Sequence, residues 1–155
     1  MKGDAQVVAG LNEYLSYELT GHRQYLLHAG MCRNWGFERL ARIQDDYVAE
    51  ETRHAARMIA RILLLDGAAA PRELRPIVGA PTVPEQNALD RELVSQAIDH
   101  LRATIPVCEQ VRDYVSRDLL REMLADEEQH LDWLDTEAGL IRQFGLQNYL
   151  QSQTS

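Results

Sequence analysis

The sequence predicts an all-α protein in which four long helices form a bundle. Apolar residues recur at helical spacing over four stretches, glycine punctuates the boundaries between them, and most prolines fall within one central segment. The chain has 155 residues, enough for one domain with a full hydrophobic core. We therefore expect residues 1–155 to form a single domain.

The first two stretches predict a helical hairpin. One helix is expected from about Gln6 to Arg33 and the next from about Phe37 to Leu65. Asn34-Trp35-Gly36 between them is typical of a tight turn, and Asp66-Gly67 is typical of a helix end. The second helix is expected to turn its larger apolar residues inward, namely Leu40, Ile43, Tyr47, Met58, Ile62 and Leu65.

The segment from Gly67 to Pro84 predicts a long crossover, because it holds four of the five prolines. A helix of roughly 28 residues is about 42 Å long. About 17 extended residues reach about 56 Å. The segment is therefore long enough to return the chain along a whole helix, which would make the second and third helices parallel.

The remaining stretches predict a second hairpin, with helices from about Pro84 to Val111 and from about Asp113 to Phe144. Pro106 lies inside the third helix and should kink or divide it. Gly145 ends the fourth helix, and residues 147–151 are expected as a short fifth helix. Two antiparallel hairpins joined by one long crossover define the ferritin-like four-helix bundle.

Composition limits the class of function. The formal net charge of −8 argues against nucleic-acid binding, which needs a basic surface, and is compatible with handling cations. The only two cysteines, Cys32 and Cys108, are far apart and give neither a disulfide framework nor a thiolate metal site. We find no secretory segment and no membrane-spanning run, so a cytoplasmic protein without membrane contact is expected.

Two short motifs carry the chemistry: Glu51-x-x-His54 and Glu127-x-x-His130. Residues three apart share one face of a helix, so each motif presents a carboxylate and an imidazole together. These ligand types suit iron, and two copies predict two irons. The second motif follows the first by 76 residues, and the same offset maps the inward-facing Glu18 onto Val94, where a di-iron bundle of this class has a glutamate.

The predicted metal ligands are therefore five: Glu18, Glu51, His54, Glu127 and His130. Glu51 and Glu127 would bridge the two ions. Glu18 and His54 would be terminal ligands of one iron, and His130 would be the only terminal ligand of the other. Neither neighbour of Val94 replaces the missing ligand. Glu92 lies about 200° around the helix, and the short side chain of Asp90 lies one turn away.

The alternative for each motif alone is an ordinary surface pair or a satisfied buried pair. Burying three carboxylates and two imidazoles unpaired would be very costly, and a multivalent cation removes that cost. Tyr25 and Tyr47 lie near the predicted ligands. Three roles are open for them: packing in the core, donating hydrogen bonds to the ligands, or acting as redox-active groups. Three flanking acids are either a solvated face or an iron-attracting inner wall: Asp46, Glu50 and Glu128.

The residues and their order resemble bacterioferritin over nearly the whole chain. The resemblance includes the start Met1-Lys2-Gly3-Asp4, Gln24-Tyr25 with His28, Asn34-Trp35-Gly36, the segment 113–118 and the ending Gly145 to Gln151. It implies a hollow homo-oligomer of 24 subunits built from twofold dimers. Such shells oxidise Fe(II) at an intrasubunit di-iron centre of non-haem iron and store ferric mineral. The family's ligands are the five residues above and a glutamate at position 94.

The sequence departs from the family at two positions. Val94 removes a carboxylate, so the second iron should bind more weakly. Thr52 occupies the position of the methionine that binds haem b at the dimer twofold in the family, and threonine cannot act as an axial thioether ligand. A homo-oligomer should therefore lack haem b, and mixing with a haem-binding paralogue is one expectation.

Three functions follow as expectations. The first is an iron-storage shell subunit with ferroxidase activity, which oxidises Fe(II) with dioxygen or peroxide at a centre weakened by Val94. The second is a mainly structural shell subunit that works beside a catalytic or haem-binding paralogue. The third is a di-iron oxidase or peroxidase that does not store iron.

Overall fold

The computed structural model describes residues 1–155, and its regular elements are five helices. They are α1 Ala5–Asn34, α2 Glu38–Leu64, α3 Val83–Gln110, α4 Tyr114–Phe144 and α5 Leu146–Gln151. The predicted all-α bundle with a short fifth helix is confirmed. Its first four helices form two hairpins, because α1 packs mainly against α2 and α3 packs mainly against α4.

Side-chain caps and one glycine set the helix ends. Asp4, Thr82 and Asp113 accept hydrogen bonds from backbone N–H groups in the first turns of α1, α3 and α4. The turn between α1 and α2 has Gly36 at φ 87°, a left-handed conformation that favours glycine. The tight turn predicted at Asn34-Trp35-Gly36 is therefore present, and it makes α1 and α2 antiparallel.

The crossover from residue 65 to residue 82 runs along α1 in the direction of α1 itself. Near its start, Asn12 Nδ2 donates to the carbonyl of Ala68 at 3.0 Å, and Ser16 Oγ donates to the carbonyl of Arg72 at 3.1 Å. Near its end, Gly79 packs against Met31 close to the C-terminus of α1. The chain thus returns over the length of α1, and α2 and α3 run parallel as the crossover length predicted.

Pro106 does not divide the third helix, and on this point the alternative of two separate helices was wrong. The helix α3 is continuous from Val83 to Gln110. Pro106 removes one N–H, but only the last turn of the helix follows it. Leu101 and Cys108 on either side are fully buried in one apolar cluster, which holds both segments against the same core.

A polar layer lies between two apolar cores. One core surrounds Leu11, Met58 and Leu101, and the other surrounds Cys32, Leu40 and Tyr149 near α5. Between them the four helices bury charged and polar side chains, namely Glu18, Gln24, His28, Gln44, Glu51, His54, Asp90, Glu127 and His130. None of the helices combines the length and the apolar character that crossing a membrane requires.

Candidate metal centre

The structure brings the first Glu-x-x-His motif together with Glu18. Helix α1 supplies Glu18, and α2 supplies Glu51 and His54 one turn apart. One ligand atom from each residue lies within 4.8 Å of the others. His54 Nδ1 is 3.3 Å from Glu18 Oε2. Two carboxylates and one imidazole therefore converge on one point in the polar layer.

This group has unused polar atoms. Both carboxylate oxygens of Glu18 and Nδ1 of His54 are buried and make no well-aligned hydrogen bond, although Nδ1 and Glu18 Oε2 approach each other at 3.3 Å. A buried carboxylate without partners is strongly unfavourable in a protein interior. A divalent cation would use these atoms as ligands, so the donor set fits a metal ion here.

Glu127 of α4 faces the same layer. Its Oε1 accepts a hydrogen bond from Tyr14 Oη at 3.1 Å. Burial, then the charge of Glu18, raises the pKa of Glu127, although the Tyr14 bond acts in the opposite direction. Burial, then the charges of Glu18 and Glu127, raises the pKa of Glu51. The glutamates therefore repel one another in the metal-free protein, which a shared cation would reverse.

Gly21 leaves the space that Glu51 occupies. Gly21 lies one turn after Glu18 on α1, and a Cβ atom added there would be 2.8 Å from Glu51 Oε2. The same Cβ would lie 3.1 Å from the ring of Tyr25. Any larger residue at this position would push the carboxylate away from the centre.

His54 has carboxylates on both sides of its ring. While Nδ1 faces Glu18, Nε2 is 3.1 Å from Asp126 Oδ2 and 3.9 Å from Glu50 Oε1. Burial alone lowers the pKa of His54, but the adjacent carboxylates of Glu18, Glu50 and Asp126 together raise it. The contact with Asp126 fixes the orientation of the ring, as carboxylates commonly do for metal-binding histidines.

His130 has a different environment, although its motif has the same spacing. Its ring stacks on Tyr47 with centroids 3.5 Å apart and planes 12° apart, and the edge of Tyr25 is also close. Its Nε2 is buried without a partner, and burial lowers the pKa of His130 to about 4. Two groups of side chains are close enough to hold a metal ion, one of Glu18, Glu51 and His54 and the other of Glu50, His54 and Asp126, and His130 belongs to neither.

The position expected to hold a further carboxylate is apolar. Val94 is 1% exposed and packs in a cluster with Ile98 and Leu134. Glu92 is exposed and interacts with Gln96, as its place on the helix predicted. The predicted second ion position would therefore lack a carboxylate from α3.

Asp90 does not substitute for that carboxylate, because its oxygens are engaged elsewhere. Asp90 is fully buried and accepts hydrogen bonds from Gln24 Nε2 at 2.7 Å and Gln44 Nε2 at 2.9 Å. The Nδ1 atom of His28 lies 3.0 Å from Asp90 Oδ1. Sequence analysis assigned no role to His28, which here pairs with a buried carboxylate in the next layer of the bundle.

Two of the three flanking acids line a cavity beside the centre. Asp46 and Glu50 border a space of about 290 Å³, together with Asp126 and His130. Glu128 instead lies on the surface and pairs with Arg102 at 2.8 Å. The interpretation of a solvated acidic face therefore holds for Glu128, whereas Asp46 and Glu50 face the cavity next to the predicted ligands.

Thr52 points away from the centre. It is exposed, donates to the carbonyl of Val48 at 2.8 Å and lies 3.1 Å from His22 Nδ1. Its hydroxyl is thus engaged on the outer surface between α1 and α2. Helix geometry explains this location, because successive side chains are turned by about 100° and Thr52 therefore points away from the Glu51 face.

Sequence analysis missed three residues that shape the centre: Asp126, Tyr14 and Gly21. A signal for Asp126 was available, because an acid precedes each motif glutamate, giving Glu50-Glu51 and Asp126-Glu127. Tyr14 lies one turn before Glu18 on the same face. Gly21 carried no usable signal, because its importance depends on how closely α2 approaches α1.

Comparison with known proteins defines the class. The family profile described as Ferritin-like domain matches residues 8–144. The chain is 44% identical to a bacterial ferritin of Synechocystis, with all of both chains covered, and 44% identical to one of Pseudomonas aeruginosa, with 99% of each covered. It is 37% identical to a bacterioferritin of Mycolicibacterium paratuberculosis, covering 96% of this chain and 94% of that one.

These matches, the bundle and the buried carboxylate and imidazole groups agree on one class of protein. The chain belongs to the ferritin-like family, and within it to the bacterioferritins.

Proposed function

We propose that this chain is an iron-storage subunit that binds Fe(II) in the polar layer and promotes its oxidation. The observation that supports the proposal is the group of Glu18, Glu51 and His54, in which the Glu18 carboxylate and His54 Nδ1 are buried without a hydrogen bond. Glu127 and His130 complete the proposed ligand set. The names of the relatives, bacterial ferritin and bacterioferritin, support storage as the purpose of the oxidation.

The side chains favour the oxidised product. Glu18 and Glu51 would hold Fe(II) with His54, and negative oxygen ligands stabilise the more highly charged Fe(III). Each Fe(II) gives up one electron. Two such electrons, with two protons, convert dioxygen to hydrogen peroxide, or convert hydrogen peroxide to two waters. Burial and the neighbouring carboxylates raise the pKa of Glu51 and Glu127, and metal binding, which needs the charged carboxylates, would therefore favour release of protons from them.

The centre is asymmetric, and this limits paired chemistry. The His54 side offers two carboxylates, an imidazole and an orienting Asp126. The other side has Val94 and a His130 ring that stacks on Tyr47. We infer that one iron binds tightly and the second weakly, so concerted two-electron oxidation is slower than at a centre with a sixth ligand.

The assembly is proposed on family grounds. We infer that residues 1–155 form one ferritin-like domain, and that 24 copies form a cytoplasmic shell of twofold dimers around ferric mineral. Because Thr52 replaces the haem-binding methionine, the homo-oligomer is expected to lack haem b. A Soret band in the recombinant homo-oligomer, purified after expression with a haem precursor, would contradict this expectation.

Iron loading of the assembled protein tests the function. We would add Fe(II) in air to the metal-free protein at several hundred ions per shell, separate it by size exclusion and measure iron and protein in each fraction. Storage predicts a particle of 24 subunits that co-elutes with ferric mineral. A small oligomer that consumes Fe(II) and retains only its bound ions would identify a non-storage oxidase instead.

A second function is favoured by the apolar surroundings of Val94. If the second iron position is never filled, this chain would act as a structural shell subunit beside a catalytic or haem-binding paralogue. Oxidation by the homo-oligomer no faster than in protein-free buffer, together with faster oxidation in mixed shells, would support this alternative. The three-residue group around Glu18 is the reason to prefer an active subunit.

A further inference from the structure

The ring of His130 lies within a group of aromatic side chains. Tyr47 stacks on it at 3.5 Å, Tyr25 presents its edge at 5.2 Å, and Trp133 is tilted at 6.3 Å. Tyr47 itself is close to Tyr25 and Trp133, at 6.1 and 5.7 Å. His130 is 3% exposed, and its ring packs against these aromatic side chains, while Asp46, Glu50 and Asp126 border the same cavity without pairing with it.

This position separates His130 from the carboxylates of the centre. No carboxylate oxygen lies within 4.0 Å of its ring nitrogens, whereas His54 has three such neighbours. His130 also joins neither group of atoms close enough to share a metal ion. Glu51, Glu127 and His130 do not form such a group, so for all three to bind one ion the imidazole would have to shift toward the carboxylates.

The 76-residue offset between the two halves of the bundle shows that Tyr47 has no aromatic counterpart on the His54 side. The residue 76 positions after Tyr47 is Met123, which is fully buried in the apolar core. The residue that precedes each motif is an acid, Glu50 or Asp126. Both acids approach His54, so Asp126 contacts the histidine of the other motif, whereas Glu50 contacts the histidine of its own motif. Neither acid pairs with His130.

We propose that Tyr47 is a positioning residue that holds His130 against the aromatic group and so keeps the second ion position incomplete. The proposal rests on the proposed function, because it assumes that His130 is a ligand when the second ion binds. Tyr47 and Val94 would then limit the number of bound ions in two separate ways. Val94 provides no metal ligand, and Tyr47 holds the His130 ligand away from the second ion position.

The test uses Co(II) as the probe and Val94→Glu protein as the background, because that change restores a carboxylate and makes second-ion affinity measurable. Tyr47→Leu in this background removes the stacked ring, and Tyr47→Phe is the matched control that keeps it. The stacking of an aromatic pair stabilises its position by a free energy that corresponds to a roughly three- to tenfold change in binding affinity. That stabilisation must be overcome when His130 moves to bind the second ion. The second Co(II) should therefore bind roughly three- to tenfold more tightly in the leucine variant than in the phenylalanine variant.

Nuclear magnetic resonance of labelled histidine gives a readout that a purely structural role would not change. In the metal-free shell, ring-current shifts from Tyr47 should displace the His130 resonances. The displacement should persist in Tyr47→Phe and disappear in Tyr47→Leu. Thermal denaturation of each variant checks that the bundle is intact.

Two results would overturn the proposal. One is equal second-ion affinity in the leucine and phenylalanine variants while the first ion binds normally. The other is a His130 ring that keeps its stacked resonances when diamagnetic Zn(II), used in place of Co(II), fills the second position. Failure of the proposed function is distinguishable, because no tight ion would then bind in any variant, including wild type.

Discussion

The two Glu-x-x-His motifs of this protein have the same spacing and opposite surroundings. His54 lies between carboxylates, with Glu18 at Nδ1 and Asp126 at Nε2. His130 lies between aromatic rings and has an unpartnered Nε2. Correspondingly, the neighbouring charges raise the pKa of His54, whereas burial lowers that of His130 to about 4. Two copies of one motif therefore do not make two equivalent metal positions.

The difference arises from residues outside the motifs. The carboxylate from α1, Glu18, has Val94 as its counterpart on α3, and Val94 packs with Ile98 and Leu134. Tyr47 adds an aromatic surface on the His130 side. A helical motif only sets which side chains share a face, while the opposing helices decide whether that face is acidic or apolar.

The largest effect should come from removing His54. His54→Ala is expected to weaken the tight divalent ion by at least about 100-fold, since even residues that only orient a ligand contribute 10- to 100-fold. His130→Ala is the matched comparison and should leave the first ion unchanged, because His130 is not part of the Glu18 group. Calorimetric titration with Co(II) measures both. Equal losses in the two variants would show that the motifs are equivalent.

Val94→Glu should restore a second ion. The new carboxylate would face the polar layer from α3, raising the number of tight Co(II) ions per subunit from one to two. Without metal, the variant should melt at lower temperature than wild type, because it buries a carboxylate beside Ile98 and Leu134. Added Co(II) should recover the loss. A variant that melts like wild type and still binds one ion would contradict the prediction.

Asp126→Asn tests whether the carboxylate next to His54 Nε2 orients the ring for metal binding. Loss of the carboxylate that lies 3.1 Å from Nε2 should weaken the first Co(II) by about 10- to 100-fold without changing the stoichiometry. Glu128→Gln is the control, because Glu128 pairs with Arg102 on the surface and does not approach the centre. If the control loses as much affinity as Asp126→Asn, a general loss of negative charge explains the effect.

The smallest expected effect is the pH dependence of the metal-free protein. Burial and neighbouring charges raise the pKa of Glu51 and Glu127, and the adjacent carboxylates raise that of His54. A folded-state pKa above the unfolded value adds stability that is complete below the unfolded pKa and is lost as pH rises through the folded one. The contribution of Glu51 and Glu127 should decline as pH rises from the usual glutamate pKa of about 4.3, and that of His54 as pH rises above about 6.5. The melting temperature should therefore fall in the window above about pH 6.5, where all three groups act in the same direction.

His130 does not obscure this window. Its lowered pKa affects stability only between about 4 and its usual value of 6.5, where it acts with the opposite sign. Glu51→Gln should flatten the decline, and saturating Co(II) should abolish it, because the ion displaces the protons. A melting temperature that stays level or rises with pH in metal-free wild type would contradict the account.

Much of the fold could be predicted from the sequence because its signals are local. Helical spacing, the turn at Asn34-Trp35-Gly36 and the proline-rich segment located the elements. The length of that segment predicted the parallel arrangement of α2 and α3. The outcome at Pro106 was not predictable from the residue alone, because burial of Leu101 and Cys108 in one core keeps α3 continuous.

The candidate centre was predictable in its residue types and less so in its geometry. The inward face of the first helix identified Glu18, and the 76-residue offset then identified the gap at Val94, since both follow from helix register. The engagement of Asp90 by Gln24, Gln44 and His28, and the stacking of His130 on Tyr47, depend on contacts between different helices. Residue spacing within one helix contains no information about them.

The central claim is that one ion position is complete and the other is not. It is tested most directly by counting tight Fe(II) ions in the metal-free shell under anaerobic conditions, with Val94→Glu protein measured in parallel. The account predicts one tight Fe(II) per subunit in wild type and two in the variant, with slower ferric absorbance growth in wild type once oxygen is mixed in. Two tight ions in wild type, with oxidation as fast as in the variant, would contradict it.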